Sequence, residues 1–141
     1  METPAYTELL YGLELTHYGP ERSEAPEFSL ISPTFKRPDE VREFIASAAQ
    51  LAVPKGRFEV ILADGTPDDS LRPEIKAAAE AAGLGVTVLY YPGLAVSDAR
   101  NAAAAASRGP WLIFLDSDCL LPAGYLDAVA HGLARDAWDA F

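Results

Sequence analysis

The sequence WLIFLDSDC, residues 111–119, carries the clearest indication of a fold. Five apolar residues run directly into two aspartates, Asp116 and Asp118, and Gly109-Pro110 precedes them. An apolar run of this length, bounded by turn residues, is typical of a buried strand. In open α/β sheets, ligands bind at the carboxyl ends of strands. The two carboxylates therefore indicate a divalent metal site, or else a helix cap beside a solvated aspartate.

The rest of the chain alternates strand-like and helix-like segments. Apolar segments at residues 28–32, 58–63, 86–90 and 111–115 are separated by amphipathic helical stripes, and a last helix is predicted at about 123–135. This alternation predicts an α/β fold: a doubly wound, mainly parallel four-stranded sheet with helices on both faces. We expect the spatial strand order 3-2-1-4. Residues 1–27 are interpreted as an N-terminal extension, and residues 28–141 as one domain.

Composition excludes several classes of protein. The chain has 141 residues and a formal net charge of −10, which argues against a nucleic-acid partner and against an anionic membrane surface. Cys119 is the single cysteine, so no intramolecular disulfide is predicted. The sequence shows neither a signal-peptide pattern nor an apolar stretch long enough to cross a bilayer. We therefore expect a cytoplasmic protein, which would reach the inner face of the membrane only through partners.

Polar residues follow three of the predicted strands. Thr34 to Arg37 follow the first strand, Asp64 follows the second, and Asp116 and Asp118 follow the fourth. Considered alone, Asp64-Gly65 is better interpreted as a tight turn, and Arg37 as a solvated charge on a loop. Because parallel strands place their carboxyl ends on one edge of the sheet, the coincidence of all three favours a functional site there.

Three segments together resemble a known family. FSLISPTFKRP (28–38), FEVILADGTPDDS (58–70) and VSDARNAAAAASRGPWLIFLDSDCLLP (96–122) resemble the nucleotide-binding half of family 2 glycosyltransferases, which have the GT-A fold. The resemblance covers about residues 28–135. It implies a Rossmann-like, partial GT-A domain that binds a nucleotide-sugar through Pro33, Thr34, Phe35, Arg37, Asp64, Arg100, Asn101, Asp116 and Ser117. It also implies that Asp118 is the main ligand of Mn²⁺ or Mg²⁺, with Asp116 beside it on the ribose side.

The implied activity is transfer of a sugar from a UDP- or GDP-sugar to a hydroxyl of a sugar, lipid or protein acceptor, with inversion. The residues suit these roles, since Phe35 offers an apolar face to a base and Asp64 can accept a hydrogen bond from a base N–H or a ribose hydroxyl. The chain departs from the family pattern in two respects. Ala63-Asp64 stands where the family often has two acids, and the chain ends at Phe141, before the acceptor half and its catalytic base. No catalytic base is assigned, and we expect the chain alone to transfer sugar slowly or not at all.

Two alternatives remain open at this level. One is a non-catalytic nucleotide-sugar-binding module that needs a partner chain. The other is a phosphatase similar to haloacid dehalogenases, in which an apolar strand also ends in D-x-D, although there it is the first strand. An apolar sheet edge left uncovered by an absent second half would favour homo-oligomers.

Overall fold

The computed structural model describes residues 13–93 and 96–135. One sheet contains strands β1 (Glu14–Tyr18), β2 (Phe28–Thr34), β3 (Phe58–Asp64), β4 (Val86–Tyr90) and β5 (Trp111–Phe114), in the order β1-β4-β3-β2-β5. The helices of the described residues are α1 (Pro38–Ala49), α2 (Arg72–Ala82), α3 (Val96–Ala106) and α4 (Tyr125–Arg135). A short 3₁₀ turn, Lys55–Arg57, leads into β3.

The predicted α/β class and strand order are confirmed. Strands β4, β3, β2 and β5 are mutually parallel and lie in the expected order 3-2-1-4. The sheet has a fifth strand that was not predicted, because β1, within the proposed extension, pairs antiparallel with β4. Its sequence ELTHY is polar and only partly buried, so backbone pairing rather than an apolar pattern holds it. The boundary at residue 28 stays a prediction.

Helices cover both faces of the sheet. One core cluster joins buried residues of α1, α2 and α4 to one face of the sheet, and its largest members include Phe44, Leu30 and Leu126. The other cluster joins Ile31 and Ile61 to the alanine stripe of α3. Because alanine is small, α3 can lie close to β2 and β3. Each fully buried leucine or phenylalanine contributes about 1.5–3 kcal/mol of apolar burial, so these layers fix the strands that position the site.

A buried carboxylate fixes the opposite end of the sheet. Glu59 accepts hydrogen bonds from the Ser29 hydroxyl at 2.6 Å, from Arg22 Nε at 2.9 Å and from the Arg108 backbone N–H at 2.6 Å. These bonds connect β2, β3 and the turn before β5. These hydrogen bonds therefore stabilise the register of β5 against β2. That register determines the position of Asp116, which follows β5. Within residues 13–93 and 96–135, no helix has both the length and the apolar character needed to span a bilayer.

Candidate functional site

An open pocket of about 360 Å³ lies at the carboxyl edge of the sheet. Seven of the residues predicted from the sequence line it: Pro33, Thr34, Phe35, Arg37, Asp116, Ser117 and Asp118. Glu40 and Tyr91 also line it and were not predicted. The ends of β2 and β5 thus meet at one cavity, as their parallel pairing requires.

The loop after β2 has an unusual backbone. Lys36 and Arg37 both adopt left-handed conformations, with φ values of 55° and 58°, which cost non-glycine residues about 1–3 kcal/mol each. The Lys36 N–H donates to the Thr66 hydroxyl at 2.9 Å, and Arg37 caps α1 and pairs with Glu40 at 3.1 Å. The strained loop presents the Phe35 ring to solvent, 56% exposed. Such a ring can serve as a platform for a planar group.

Asp64 is the last residue of β3 and does not itself line the pocket. Its side chain is fully buried, at 0% exposure. The Thr66 N–H at 3.0 Å and the Thr34 hydroxyl at 3.4 Å both donate to Oδ1. Oδ2 has no hydrogen-bond partner in the described part of the chain. A buried carboxylate oxygen without a partner is rare and costly, so it indicates a position that a ligand completes.

Tyr91, like Glu40, lines the pocket and was not predicted from the sequence. It follows β4 directly, and its N–H donates to the Asp64 carbonyl at 2.9 Å. Its ring packs against Gly65, where a Cβ atom would lie 2.8 Å from the ring carbon that bears the hydroxyl. Burial raises the pKa of Tyr91, the charge of Asp64 adds to that rise, and Arg100 opposes it. The ring therefore lies within the electrostatic reach of both charged groups.

The loop after β5 carries Asp116 and Asp118, the two acids of the D-x-D motif, and both are exposed to solvent. Leu115 extends the parallel pairing by one residue, since its N–H donates to the Ile31 carbonyl at 2.8 Å. The chain then turns, and the Cys119 N–H donates to the Asp116 carbonyl at 3.1 Å. Asp116 and Asp118 are both exposed at the pocket. Arg100, on α3, approaches Asp116 Oδ1 with Nη2 at 3.5 Å.

Asn101 is not brought into this pocket. It is exposed on α3 and lines a neighbouring cleft with Ser97, Arg100 and Phe114. Arg100 is likewise absent from the pocket lining and shares the neighbouring cleft with Asn101, but its guanidinium reaches Asp116 on the D-x-D loop.

The described residues contain no cluster of three or more histidine, cysteine or acidic side chains arranged to hold a metal. The chain offers instead the two exposed carboxylates of Asp116 and Asp118 on one loop. Mg²⁺ and similar hard cations are usually bound by one or two carboxylates together with phosphate oxygens and waters. The donor set therefore fits a cation that a diphosphate ligand helps to hold.

Comparison with known sequences gives one family. A family model described as "Glycosyl transferase family 2" matches residues 29–139, which is most of the chain. A search of curated proteins found no match.

Comparison with solved structures gives similar folds. The crystal structure of S. aureus TarS 1-349 superposes with a TM-score of 0.67 at 26% identity, over 77% of this chain and 32% of that chain. The same protein in complex with UDP-GlcNAc gives a TM-score of 0.63 at 27% identity, over 77% and 31% of the two chains. Mannosyltransferase PcManGT from Pyrobaculum calidifontis, in complex with GDP-Man and Mn²⁺, gives a TM-score of 0.70 at 20% identity, over 93% and 39%. The last likeness concerns the fold alone. The chain spans between 31% and 39% of the length of these structures.

Proposed function

Because the chain belongs to glycosyl transferase family 2 and has its GT-A fold, we propose that the pocket at the carboxyl edge of the sheet binds a nucleotide-diphospho-sugar. The chain would then be the donor-binding part of an inverting glycosyltransferase. One observation carries this proposal: the loop after β2 and the D-x-D loop after β5 line a single cavity. Thr34 in its wall also hydrogen-bonds to the buried Asp64, whose Oδ2 has no partner among the described residues. That arrangement suits a ligand with a base at one end and a diphosphate at the other.

The nucleoside end is assigned to the β2 loop and Asp64. The Phe35 ring is exposed and would stack on the base, while Pro33 and Thr34 form the adjoining wall. Asp64 would accept a hydrogen bond from the base at Oδ2, the oxygen that has no partner among the described residues. Arg37, at the start of α1, adds positive charge to the rim of the pocket. A carboxylate this deeply buried gains most from a ligand that donates to it.

The diphosphate end is assigned to the D-x-D loop and Arg100. Asp116 would accept from a ribose hydroxyl and Ser117 would form the wall beside it. Asp118, with Asp116, would hold Mn²⁺ or Mg²⁺, and that ion supplies neutralisation of the departing diphosphate. The presence of Mn²⁺ with a sugar nucleotide in a mannosyltransferase of the same fold supports this assignment. Asn101, in the adjoining cleft, is proposed to act only at the outer rim.

In an inverting transfer, the acceptor oxygen attacks the anomeric carbon while the bond from that carbon to the diphosphate oxygen breaks. The proton of the acceptor hydroxyl goes to a general base, which typically contributes about 10²–10⁴-fold in rate. We assign no residue of this chain to that role. The alternative proposal is a non-catalytic donor-binding module that needs a partner chain. Assays of sugar transfer with and without a partner chain distinguish it from the enzyme, because only the enzyme would turn over the donor alone. The phosphatase alternative is set aside, because the chain belongs to a glycosyltransferase family.

The nucleotide-binding proposal is tested by calorimetric titration of UDP-GlcNAc and GDP-Man in the presence of Mn²⁺. We expect one of the two sugar nucleotides to bind. Phe35→Ala should weaken that binding about fivefold or more, because stacking of a base on an aromatic ring is worth about 1–3 kcal/mol. Leu15→Ala is the matched control, since Leu15 is an exposed apolar residue on β1 that does not line the pocket. Equal binding by parent and Phe35→Ala would contradict the proposed base site.

A further inference from the structure

Strand β5 lies at one end of the sheet, and its outer edge is open. Among the described residues, β5 pairs with β2 alone. The Leu115 N–H donates inward, to the Ile31 carbonyl at 2.8 Å. Because the backbone groups of successive strand residues point to opposite sides, the N–H and C=O groups of Leu112 and Phe114 point outward, away from β2. They are the groups that a further strand would pair with.

This edge lacks the features that keep exposed strands from pairing. Residues 111–115 contain no lysine, no proline and no charged side chain, and Phe114 is 49% exposed. Sheets usually protect their edges with such residues. The opposite edge, formed by β1, is the polar sequence ELTHY, in which Glu14 pairs with Arg72 at 2.6 Å. Of the two edges of the described sheet, the edge of β5 is therefore the one suited to pair with another strand.

We propose that this edge joins two copies of the chain, with the two β5 strands pairing antiparallel about a two-fold axis at Ile113. In this register, Leu112 of each copy lies opposite Phe114 of the other. Directly opposite residues of an antiparallel pair exchange both backbone hydrogen bonds when their N–H and C=O groups face each other, as the outward groups of Leu112 and Phe114 would. The axis generates two equivalent pairs, so the same edge is complementary to itself.

The side chains that would meet across this interface are apolar. Leu112 packs against the buried alanines of α3, and Phe114 lines the cleft beside α3 with Ser97 and Asn101. Both side chains therefore lie on the same face of the sheet, as alternate residues of a strand do. Leu112 of one copy and Phe114 of the other would form an apolar cross-strand pair, and such pairs stabilise a sheet. The ring that is exposed in the single chain would then be covered.

The charges at the two ends of β5 favour a second copy as the occupant of this edge. Arg108 precedes the strand, Asp116 and Asp118 follow it, and all three are exposed. Antiparallel pairing brings the basic end of each strand towards the acidic end of the other. In chains with a net charge of −10 each, this local complementarity offsets part of the repulsion between copies. The two pockets would lie at opposite edges of the joined sheet, so the interface does not depend on the proposed function.

Sedimentation equilibrium of the 141-residue chain tests the dimer directly. We expect the mass to rise with concentration from 15.1 kDa towards twice that value. Phe114→Pro removes an outward N–H and leaves the hydrogen bonds between β2 and β5 in place, which is where an edge strand tolerates proline. The dissociation constant of the dimer should rise at least about tenfold, because each of the two equivalent pairs loses a hydrogen bond.

A charged side chain on the same edge provides a second variant with a matched control. Phe114→Lys places two like charges within the interface, so it should also weaken the dimer at least about tenfold. Leu15→Lys should leave the dimer unchanged, because Leu15 is a similarly exposed apolar residue, at 46%, on the opposite edge strand β1. Circular dichroism establishes that each variant is folded.

The antiparallel arrangement is tested by reversing one charge. Arg108→Glu should weaken the dimer, because it places an acid near the acids that follow the second copy's strand. Lys76→Glu changes the net charge by the same amount on an exposed part of α2 and should have a smaller effect.

Each outcome decides for or against this interface. A chain that sediments at 15.1 kDa at every concentration would overturn the proposal. A dimer that both Phe114 variants leave as tight as the parent would overturn it too, since the copies would then meet through another surface. Equal effects of Arg108→Glu and Lys76→Glu would overturn the antiparallel arrangement. None of these measurements includes a nucleotide, so their failure would leave the proposed nucleotide site untouched.

Discussion

Arg100 and Asp116 face each other across the gap between α3 and the loop after β5, with Nη2 of the arginine 3.5 Å from Oδ1 of the aspartate. The Nε atom of Arg100 is buried and has no hydrogen-bond partner among the described residues. The pair therefore places a positive charge beside Asp116, one of the acids that line the pocket. The chain has a net charge of −10, so this local cation should reduce the electrostatic repulsion of an anionic ligand at the site.

Replacing Arg100 by glutamine is expected to affect binding more than folding. The side chain is partly exposed and its contact with Asp116 is long, so the free energy of unfolding should change by less than about 1 kcal/mol. UDP-sugar affinity should fall about tenfold, because the diphosphate loses a nearby cation. Lys76→Gln is the control, since Lys76 also pairs with an acid, Glu80, at 2.8 Å on an exposed part of α2 that does not line the pocket. Equal loss of affinity in both variants would show that only net charge matters.

Gly65→Ala tests the contact between Gly65 and the Tyr91 ring. An added Cβ would lie 2.8 Å from Cζ of Tyr91, so either the ring or the β3 turn must shift. Overpacking of this kind costs about 1–3 kcal/mol, and chemical denaturation should show a loss of stability in that range. Gly56→Ala provides the control, because a Cβ there meets no atom within 4 Å. Unchanged stability and unchanged nucleotide binding in Gly65→Ala would mean that the Tyr91 ring is not held where the structure has it.

The raised pKa of Tyr91 predicts that the folded chain loses stability at alkaline pH. Burial, followed by the charge of Asp64, raises its pKa above the ordinary value of 10.0. In the unfolded chain the phenol ionises near that value, while the folded chain keeps its proton. The stabilising contribution is therefore complete below pH 10 and is lost as the pH rises through the folded-state pKa. Tyr91→Phe cannot ionise there, so its stability should decline less steeply above pH 10 than that of the parent.

Urea titrations of parent and Tyr91→Phe across pH 8–11 measure this difference. Tyr125, whose pKa burial also raises, is present in both proteins and contributes equally to both curves. Parallel stability curves for the two proteins would contradict a raised pKa of Tyr91 in the folded chain.

Much of the fold follows from local sequence. The segments that became β2, β3, β4 and β5 are apolar runs bounded by turn residues, and such runs determine their own secondary structure once a core forms. β1 could not be anticipated, because its polar residues gain their strand conformation from the exposed edge of β4. Its position depends on a partner far along the chain, which local pattern does not encode.

The site likewise contains residues that local sequence predicts and residues whose position depends on tertiary packing. Phe35, Asp116 and Asp118 lie in the pocket because each belongs to the loop after a strand whose carboxyl end is there. Arg100 and Asn101 lie on α3 and line the adjoining cleft rather than the pocket, although the long Arg100 side chain approaches Asp116 at 3.5 Å. Tyr91 was missed because the sequence after β4 reads as a turn, Pro92-Gly93. Only the packing of its ring on Gly65 reveals that it turns inward.

The metal assignment separates the two D-x-D acids. Asp118→Asn should remove the Mn²⁺-dependent part of UDP binding and leave folding unchanged, because Asp118 is exposed on a loop. Asp116→Asn should weaken UDP binding even without metal, since its proposed partner is a ribose hydroxyl. Asp69→Asn, an exposed turn acid away from the pocket, serves as the control.

Calorimetric titration of UDP into the parent and into Asp118→Asn, each with and without Mn²⁺, tests metal-assisted binding of a sugar nucleotide most directly. Two exposed carboxylates cannot fill a six-coordinate shell, so the cation and the diphosphate should each strengthen the binding of the other. We expect Mn²⁺ to increase UDP affinity at least about tenfold in the parent, within the usual range of coupling between ligands, and to have no effect in Asp118→Asn. The same enhancement in both proteins, or none in the parent, would contradict a metal site on the D-x-D loop.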